Sequence, residues 1–354
     1  MFTVAEGGQI SPEIAELLDV LAAASIVLDA SNTVIRASDG ALTLGLVQAQ
    51  LLVHKSLQQL VEEARVSNHP VDREFELVTG LRGERSFVYA RAARLEKRFI
   101  LLLVEDRTEA KRVDETRRDF IANISHELKT PIGAIGLLAE ALQDGSDDPV
   151  LVKRFAGNLE REALRLGSLV QDIILLSRLQ AAESFDGYQP VDLAKVIHEA
   201  VDRNQVLAET KKIKIKVSAP KGHVAYGEFE ALATAIKNLI ENAILYSDEG
   251  SQVGVGLRSV DGVSEITVID NGVGISVDEQ ERVFERFYRV DQSRSRQTGG
   301  TGLGLSIVKH VALNHRGEVK VFSQPGLGST FTFRIPDLSK TIAETSTDSQ
   351  GEQK

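Results

Sequence analysis

The sequence predicts a multidomain α+β chain with three parts: a small antiparallel-sheet module, a long helical hairpin, and an α/β domain. Residues 13–105 alternate short apolar runs with turns. Residues 106–185 repeat apolar side chains every three or four positions with one polar break. From residue 186 to 337 strand-like and helix-like apolar patterns interleave, and glycine-rich loops separate them.

Residues 1–12 carry no pattern and are expected to be disordered. Ser11-Pro12-Glu13 reads as a helix start, with Ser11 as N-cap and Pro12 at the first helical position. SIVLD and TVIRA flank Ala30-Ser31-Asn32 as a hairpin. EFELV, SFVYARAARL and RFILLLVE follow as strands, separated by Gly80 and by Arg82-Gly83-Glu84. One or two helices fit between the second and third strands. Together these segments predict a small α+β module of sensor type.

RTEAKRVDETRR at 107–118 has many charges and few seam positions, as a helical connector would. Phe120, Ile124, Leu128, Pro131, Ile135, Leu138 and Leu142 then form one apolar seam. Leu151, Phe155, Leu159, Ala163, Leu166, Val170, Ile173 and Leu176 form a second, after the polar break QDGSDDP at 143–149. One hairpin cannot bury two stripes. Two copies pairing as a four-helix bundle can, so a homodimer is expected. Pro131 removes a backbone hydrogen bond and Gly133 and Gly136 weaken the next turn, which predicts a bend there.

In the last part a helix is expected over 191–203, a strand at IKIKV, a helix over 228–246, and strands at QVGVGLR and EITVID. Helices over 277–287 and 303–315 and a closing hairpin, EVKVFS with STFTFRIP, complete it. The tail at 338–354 is too polar to bury anything and is expected to be disordered.

Bulk properties exclude several function classes. The chain of 354 residues is 42% hydrophobic and 26% charged, the balance of a soluble globular protein. A net charge of −10 argues against wholesale binding to nucleic acid or anionic membrane. The absence of cysteine excludes disulfides, thiolate metal sites and cysteine nucleophiles, and fits a reducing compartment. No apolar run approaches the ~18 residues of a membrane span. The chain as it stands is expected to be cytoplasmic, and any membrane anchor of the native protein to lie ahead of Met1.

Four stretches carry the chemistry: NLIENAILYS at 238–247, DNGVGI at 270–275, FERFYR at 284–289 and GGTGLGL at 299–305. Each alone is weak, but the ordered set reads as a nucleotide site. GGTGLGL leading into a helix offers backbone N–H groups and a positive helix end to phosphate oxygens. Gly300, Gly302 and Gly304 let the backbone come close. Asp270 can accept from an exocyclic amine such as adenine N6, and Gly272 and Gly274 turn the chain beneath the base. Asn238 and Asn242 lie one helical turn apart and face the same way, so that one of them can bind Mg²⁺ between phosphates. Tyr246 is placed to stack near the nucleotide. Arg289 is a phosphate clamp, in a polar, glycine-rich stretch at 288–302 suited to a lid.

HELKTP at 126–131, with those four stretches in order and spacing, resembles the H, N, G1, F and G2 boxes of bacterial two-component sensor histidine kinases over residues 106–336. The 13–105 module resembles a PAS domain by its strand pattern. RRDFIANISHELKTP and VFERFYRVDQSRSRQTGGTGLGLSIVKHVA are similar to actinobacterial sensor kinases of the phosphate-starvation type. The resemblance implies a PAS-like sensor module, a dimerisation and phosphotransfer hairpin, and an α/β-sandwich ATP-binding domain of the histidine kinase/ATPase type. His126 would take the γ-phosphoryl group of ATP and pass it to an aspartate on the receiver domain of a response regulator.

The residues make that chemistry sensible. The seam through Phe120, Ile124 and Leu128 leaves His126 on the opposite, solvent side. A histidine with a pKa near ~6.5 is largely neutral and nucleophilic at cell pH. Glu127 can accept from one ring nitrogen and leave the other to attack. Thr130 lies one turn on, where the family's HExxT arrangement orients water for the reverse dephosphorylation. Related ATPases carry a glutamate four residues before the metal-binding asparagine, which here is Asn242. The glutamate's position is Asn238, which cannot act as a base and so favours kinase over ATPase. The resemblance also implies nucleotide contacts from Asn238, Ile275, Thr301 and Leu303. One departure stands out: the family lysine before the N-box aromatic is Leu245. Lys237 or Arg289 could replace its phosphate contact. Leu245 is also what a nucleotide-gated scaffold without transfer activity would show.

Overall fold

A computed structural model of the chain describes residues 23–338, with 16, 18, 20 and 21, apart from 68, 80–83, 96, 97, 145–147, 182–187 and 291–299. The readings placed on residues 1–12, on Ser11-Pro12-Glu13, on the Gly80 and Arg82-Gly83 turns, on the centre of the 143–149 break, on most of the 288–302 lid and on the tail after Leu338 lie outside the described residues. The chain divides into two units, Met1–Ile121 and Ala122–Lys354.

The first unit is a five-stranded antiparallel sheet. Its strands are β1 (Ala24–Leu28), β2 (Val34–Ala37), β5 (Val71–Thr79), β6 (Glu84–Leu95) and β7 (Phe99–Asp106), in the order β2-β1-β7-β6-β5. The hairpin between β1 and β2 turns where Asp29 Oδ1 accepts from the N–H groups of Ser31 and Thr33 (2.8 and 2.9 Å) and Asn32 takes a left-handed φ of 65°. Two helices, α1 (Asp39–Thr43) and α2 (Lys55–Val66), and a two-stranded ribbon, β3 (Val47–Gln48) with β4 (Leu51–Leu52), lie between β2 and β5. Strand alternation sends Ile26, Leu28, Ala90, Ala92, Leu102 and Val104 to one face, where Leu57, Leu60 and Val61 of α2 close over them. Val27 and Phe99 face the other way, with Leu18.

A long helix, α3 (Thr108–Asp144), follows β7 after a single residue. Its first turn is rooted on β6. The Phe87 N–H donates to Thr108 Oγ1 at 2.9 Å, and the Arg107 guanidinium lies 4.4 Å from the centre of the Tyr89 ring. Helix α3 continues without a break through Pro131.

In the second unit α3 is followed by α4 (Pro149–Ala181), capped by Asp148, whose Oδ1 accepts from Val150 N at 2.9 Å. On α3, Phe120, Ile124, Leu128, Ile135, Leu138 and Leu142 are half-buried and Pro131 is buried, while His126 is exposed. The α/β part holds β8 (Gln189–Asp192), α5 (Leu193–Arg203), α6 (Gln205–Thr210), β9 (Lys214–Ser218), β10 (Val224–Gly227) and α7 (Phe229–Tyr246). It continues with β11 (Gln252–Val260), β12 (Val263–Ile269), α8 (Gly304–Asn314), β13 (Glu318–Gln324) and β14 (Gly328–Pro336). The main sheet has the order β13-β14-β12-β11-β9, antiparallel except for the parallel pair β9–β11, and β8 pairs with β10. Val253, Val255, Ile266, Val268, Phe331 and Phe333 are buried on one face beneath α7 and α8. The other face leaves Phe322 71% exposed, so this is a two-layer sandwich.

One expected helix does not form. Residues 277–287 make two short 3₁₀ turns, Val277–Glu279 and Arg282–Phe284. Gln280 Nε2 donates to the carbonyls of Ile275 and Ser323 (3.2 and 2.9 Å), and Phe287 stands at φ 61° with its N–H donated to Gly302 O at 2.9 Å. These tertiary bonds replace the i→i−4 ladder. The expected helix at 191–203 begins two residues later, because Pro190 to Asp192 pair with β10 and Asp192 then caps α5.

Candidate active site

Helix α7 is the floor of the site. Ala231, Leu232, Ala235, Ile236, Leu239, Ile240 and Ala243 bury one side of it in the sandwich. The other side presents two rows at i, i+4 spacing: Asn238, Asn242 and Tyr246, and Lys237, Glu241 and Leu245. Lys211 Nζ caps the C-terminal end, donating to the carbonyls of Ile244 and Leu245 at 3.1 and 2.7 Å.

These rows line a cavity of about 400 Å³ together with Asp270, Gly274, Ile275, Arg289, Gly300, Thr301, Gly302, Gly304, Leu305, Ser329 and Phe331. That size suits a nucleotide. Asp270 is buried at the end of β12. Its Oδ1 accepts from the N–H groups of Gly272 (2.8 Å) and Ser329 (3.1 Å), which leaves Oδ2 to accept from a ligand. Burial pushes this carboxyl above the usual range, and the two N–H bonds oppose the rise.

The glycines have separate reasons. Gly272 lies outside the lining; a Cβ there would sit 2.4 Å from the Tyr246 carbonyl oxygen. Gly274, at φ 71°, would strike Gln324 O. Gly302 takes φ 72° two residues before α8, and Gly302 and Gly304 both line the cavity. Leu303 is fully buried and works as core. The Arg289 guanidinium reaches over Gly300, 4.0 Å from where a Cβ would stand.

The two asparagines differ. Asn238 is buried and donates its amide to Gly304 O at 3.3 Å, tying α7 to the glycine loop. Asn242 is half-buried and lines the cavity. Lys237, expected as a substitute phosphate contact, is held in an ion pair with Glu241. Leu245 lines the cavity where the family has lysine. Phe284 is buried edge-on against Phe331, with ring centres 6.2 Å apart.

His126, Glu127 and Thr130 lie together on α3 and are not part of this lining. His126 and Thr130 are exposed and Glu127 is half-buried. Thr130 Oγ1 donates to the His126 carbonyl at 3.3 Å, one turn back.

Sequence reasoning missed the contribution of α4. Ser168 and Asp172 line the cavity, and Asp172 Oδ2 accepts from Thr301 Oγ1 at 3.0 Å. Leu169, Leu176 and Leu179 are buried, and Asn314 Nδ2 donates to Leu179 O at 2.8 Å, so α8 seats on α4. The signal was a second stripe, 169-172-176-179, at the same 3-4-3 spacing as the first.

Residues 116–182 match the His Kinase A (phospho-acceptor) domain, and residues 227–339 match the histidine kinase-, DNA gyrase B-, and HSP90-like ATPase family. The sensor-like histidine kinase SenX3 of Mycolicibacterium smegmatis is 44% identical over 88% of this chain and 82% of its own length. The phosphate regulon sensor protein PhoR of Pseudomonas aeruginosa is 35% identical over 69% of this chain and 55% of its own. Among solved structures, histidine kinase ThkA in complex with response regulator protein TrrA matches 94% of this chain and 99% of its own at 18% identity, with a TM-score of 0.50. That likeness is one of fold.

Proposed function

The chain belongs to the two-component sensor histidine kinases, ATP-dependent enzymes that phosphorylate themselves on histidine and pass the phosphoryl group to a response regulator, and from that premise we propose the roles of its residues. His126 is the phosphoacceptor. The carrying observation is its exposure on a helix whose apolar seam faces the other way, in a unit that also holds a nucleotide-sized cavity. Glu127, beside it, accepts from one ring nitrogen so that the other attacks the γ-phosphorus, and ADP leaves.

In the cavity Asp270 Oδ2 accepts from the adenine amine, Ile275 and Tyr246 flank the base, and Arg289 and the N–H groups from Gly300 to Gly304 hold phosphates. Mg²⁺ fits Asn242, whose amide oxygen is a hard ligand. That ion would neutralise charge on the phosphates. Asn238, already bonded to Gly304 O, positions the loop and offers no base to activate water.

We divide the chain into a PAS-like sensor at 13–105, connector and phosphotransfer hairpin at 106–185, and the ATP-binding domain at 186–337. The strand order β2-β1-β7-β6-β5 supports the PAS-like reading. The exposed apolar residues Ile132, Leu137, Leu164 and Val170 support pairing of two copies. No helix among the described residues is long and apolar enough to cross a membrane. Thr130 supports a phosphatase activity on the regulator, and the kinship with PhoR a role in phosphate signalling.

The test separates the two halves of the site. Asn242→Ala should abolish Mg²⁺-dependent ATP binding, whereas His126→Gln should bind ATP like wild type. Neither should take up label from γ-labelled ATP. Loss of ATP binding in His126→Gln, or labelling of Asn242→Ala, contradicts the assignment.

A further inference from the structure

Asp172 belongs to the stalk helix α4, yet it touches the nucleotide loop. Its Oδ2 accepts from Thr301 Oγ1 at 3.0 Å, and the same Thr301 oxygen accepts from Leu303 N at 3.3 Å. One hydroxyl therefore joins α4 to the loop that opens α8. Asp172 and Thr301 both line the cavity, beside Lys237 and Gly302.

The carboxylate interrupts an apolar stripe, since its neighbours at the same spacing, Leu169, Leu176 and Leu179, are buried. A charge there costs free energy unless it is matched. The match is poor. Burial raises the Asp172 pKa most, Thr301 and Lys237 pull it down, and Glu241 pushes it up again. Lys237 is already committed to Glu241. Polyphosphate entering this cavity brings several more negative charges to the same loop, in a partly desolvated space where repulsion is strong.

We propose that Asp172 is a nucleotide-sensing positioning residue. It holds Thr301, and with it the glycine loop, against α4 while no polyphosphate is bound, and the charge of the triphosphate drives it off. This rests on the cavity being the ATP site. Polyphosphate binding then works against the seating of α8 on α4, and by linkage that seating weakens polyphosphate binding by the same factor. A nucleoside without phosphates feels neither effect.

Asp172→Asn keeps the shape and an acceptor oxygen for Thr301 but removes the charge. With Mg²⁺ present, the non-hydrolysable analogue AMP-PNP should bind this variant about five- to twentyfold tighter than wild type, ADP should gain less, and adenosine should be unchanged. Hydrogen exchange gives a second measurement: amides over 168–179 in wild type should exchange faster with AMP-PNP and not with adenosine. Equal shifts for AMP-PNP and adenosine, or α4 exchange indifferent to AMP-PNP while it binds normally, overturn the sensing role alone. Wild type that binds no AMP-PNP overturns the ATP-site reading beneath it.

Discussion

Phe287 and Gly302 hold each other in left-handed backbone conformations, φ 61° and 72°, across one hydrogen bond from Phe287 N to Gly302 O of 2.9 Å. The contact ties residue 287 to the glycine loop at 300–304. A Cβ on Gly302 would sit 2.9 Å from Phe287 Cα. Gly302→Ala combines that crowding with a φ that alanine disfavours, a strain of roughly 1–3 kcal/mol at the phosphate end of the cavity. ATP affinity should fall about tenfold or more, with a melting temperature only a few degrees lower. Titration calorimetry and a circular-dichroism melt check both parts.

Asp270 tests the base. Its Oδ1 is committed to Gly272 N and Ser329 N, so recognition of an amine falls to Oδ2. Asp270→Asn turns an acceptor into a donor there. Wild type should favour ATP over inosine triphosphate, which lacks the exocyclic amine, by roughly ten- to hundredfold. The variant should lose most of that preference. An unchanged ratio of the two affinities would place the base elsewhere in the cavity.

His315 makes the catalytic unit acid-sensitive. It is buried and stacked on Tyr188 with ring centres 4.8 Å apart, and its Nε2 accepts from Glu228 N at 3.2 Å at the start of α7. Its Nδ1 donates to Val311 O at 2.7 Å. Burial holds its pKa below the ordinary value, and the same is true of His310 one turn and a half earlier. The folded state therefore binds protons less readily than the unfolded one. Stability is fully present above the unfolded value of about 6.5 and is lost as pH falls below it. Melts between neutral and mildly acidic pH should show this fall, and His315→Gln should make it shallower.

The role proposed for Thr130 predicts that its loss separates the forward and reverse reactions. Its hydroxyl is exposed one turn from His126 and bonds only loosely to the helix backbone, at 3.3 Å. Thr130→Ala should leave autophosphorylation within about twofold of wild type and slow loss of phosphate from the regulator by tenfold or more, the scale at which a positioned proton-handling or water-orienting group acts. Time courses with a purified phosphorylated receiver domain check it, and equal loss of both activities contradicts the division.

Much of this was legible because the relevant signals are local. The α3 seam through Phe120, Ile124 and Leu128 shows in the burial pattern, and residues of the glycine and asparagine stretches line one cavity. The expected helix over 277–287 misled because Val277, Val283, Phe284 and Phe287 imitate helical spacing. The Gln280 side-chain amide bonds Ile275 and Ser323 and the Phe287 N–H bonds Gly302, partners that no local pattern reveals. Asp172 was passed over because a polar residue in an apolar run looks like a gap in the seam. Its partner, Thr301, lies 129 positions along the chain.

The most direct measurement maps the phosphoryl group itself. The protein is incubated with Mg²⁺ and ATP, digested at neutral pH and read by tandem mass spectrometry. The expected result is one acid-labile phosphoryl group on the imidazole of His126, absent from His126→Gln. Phosphate on another residue, or acid-labile label persisting in His126→Gln, would contradict the central claim.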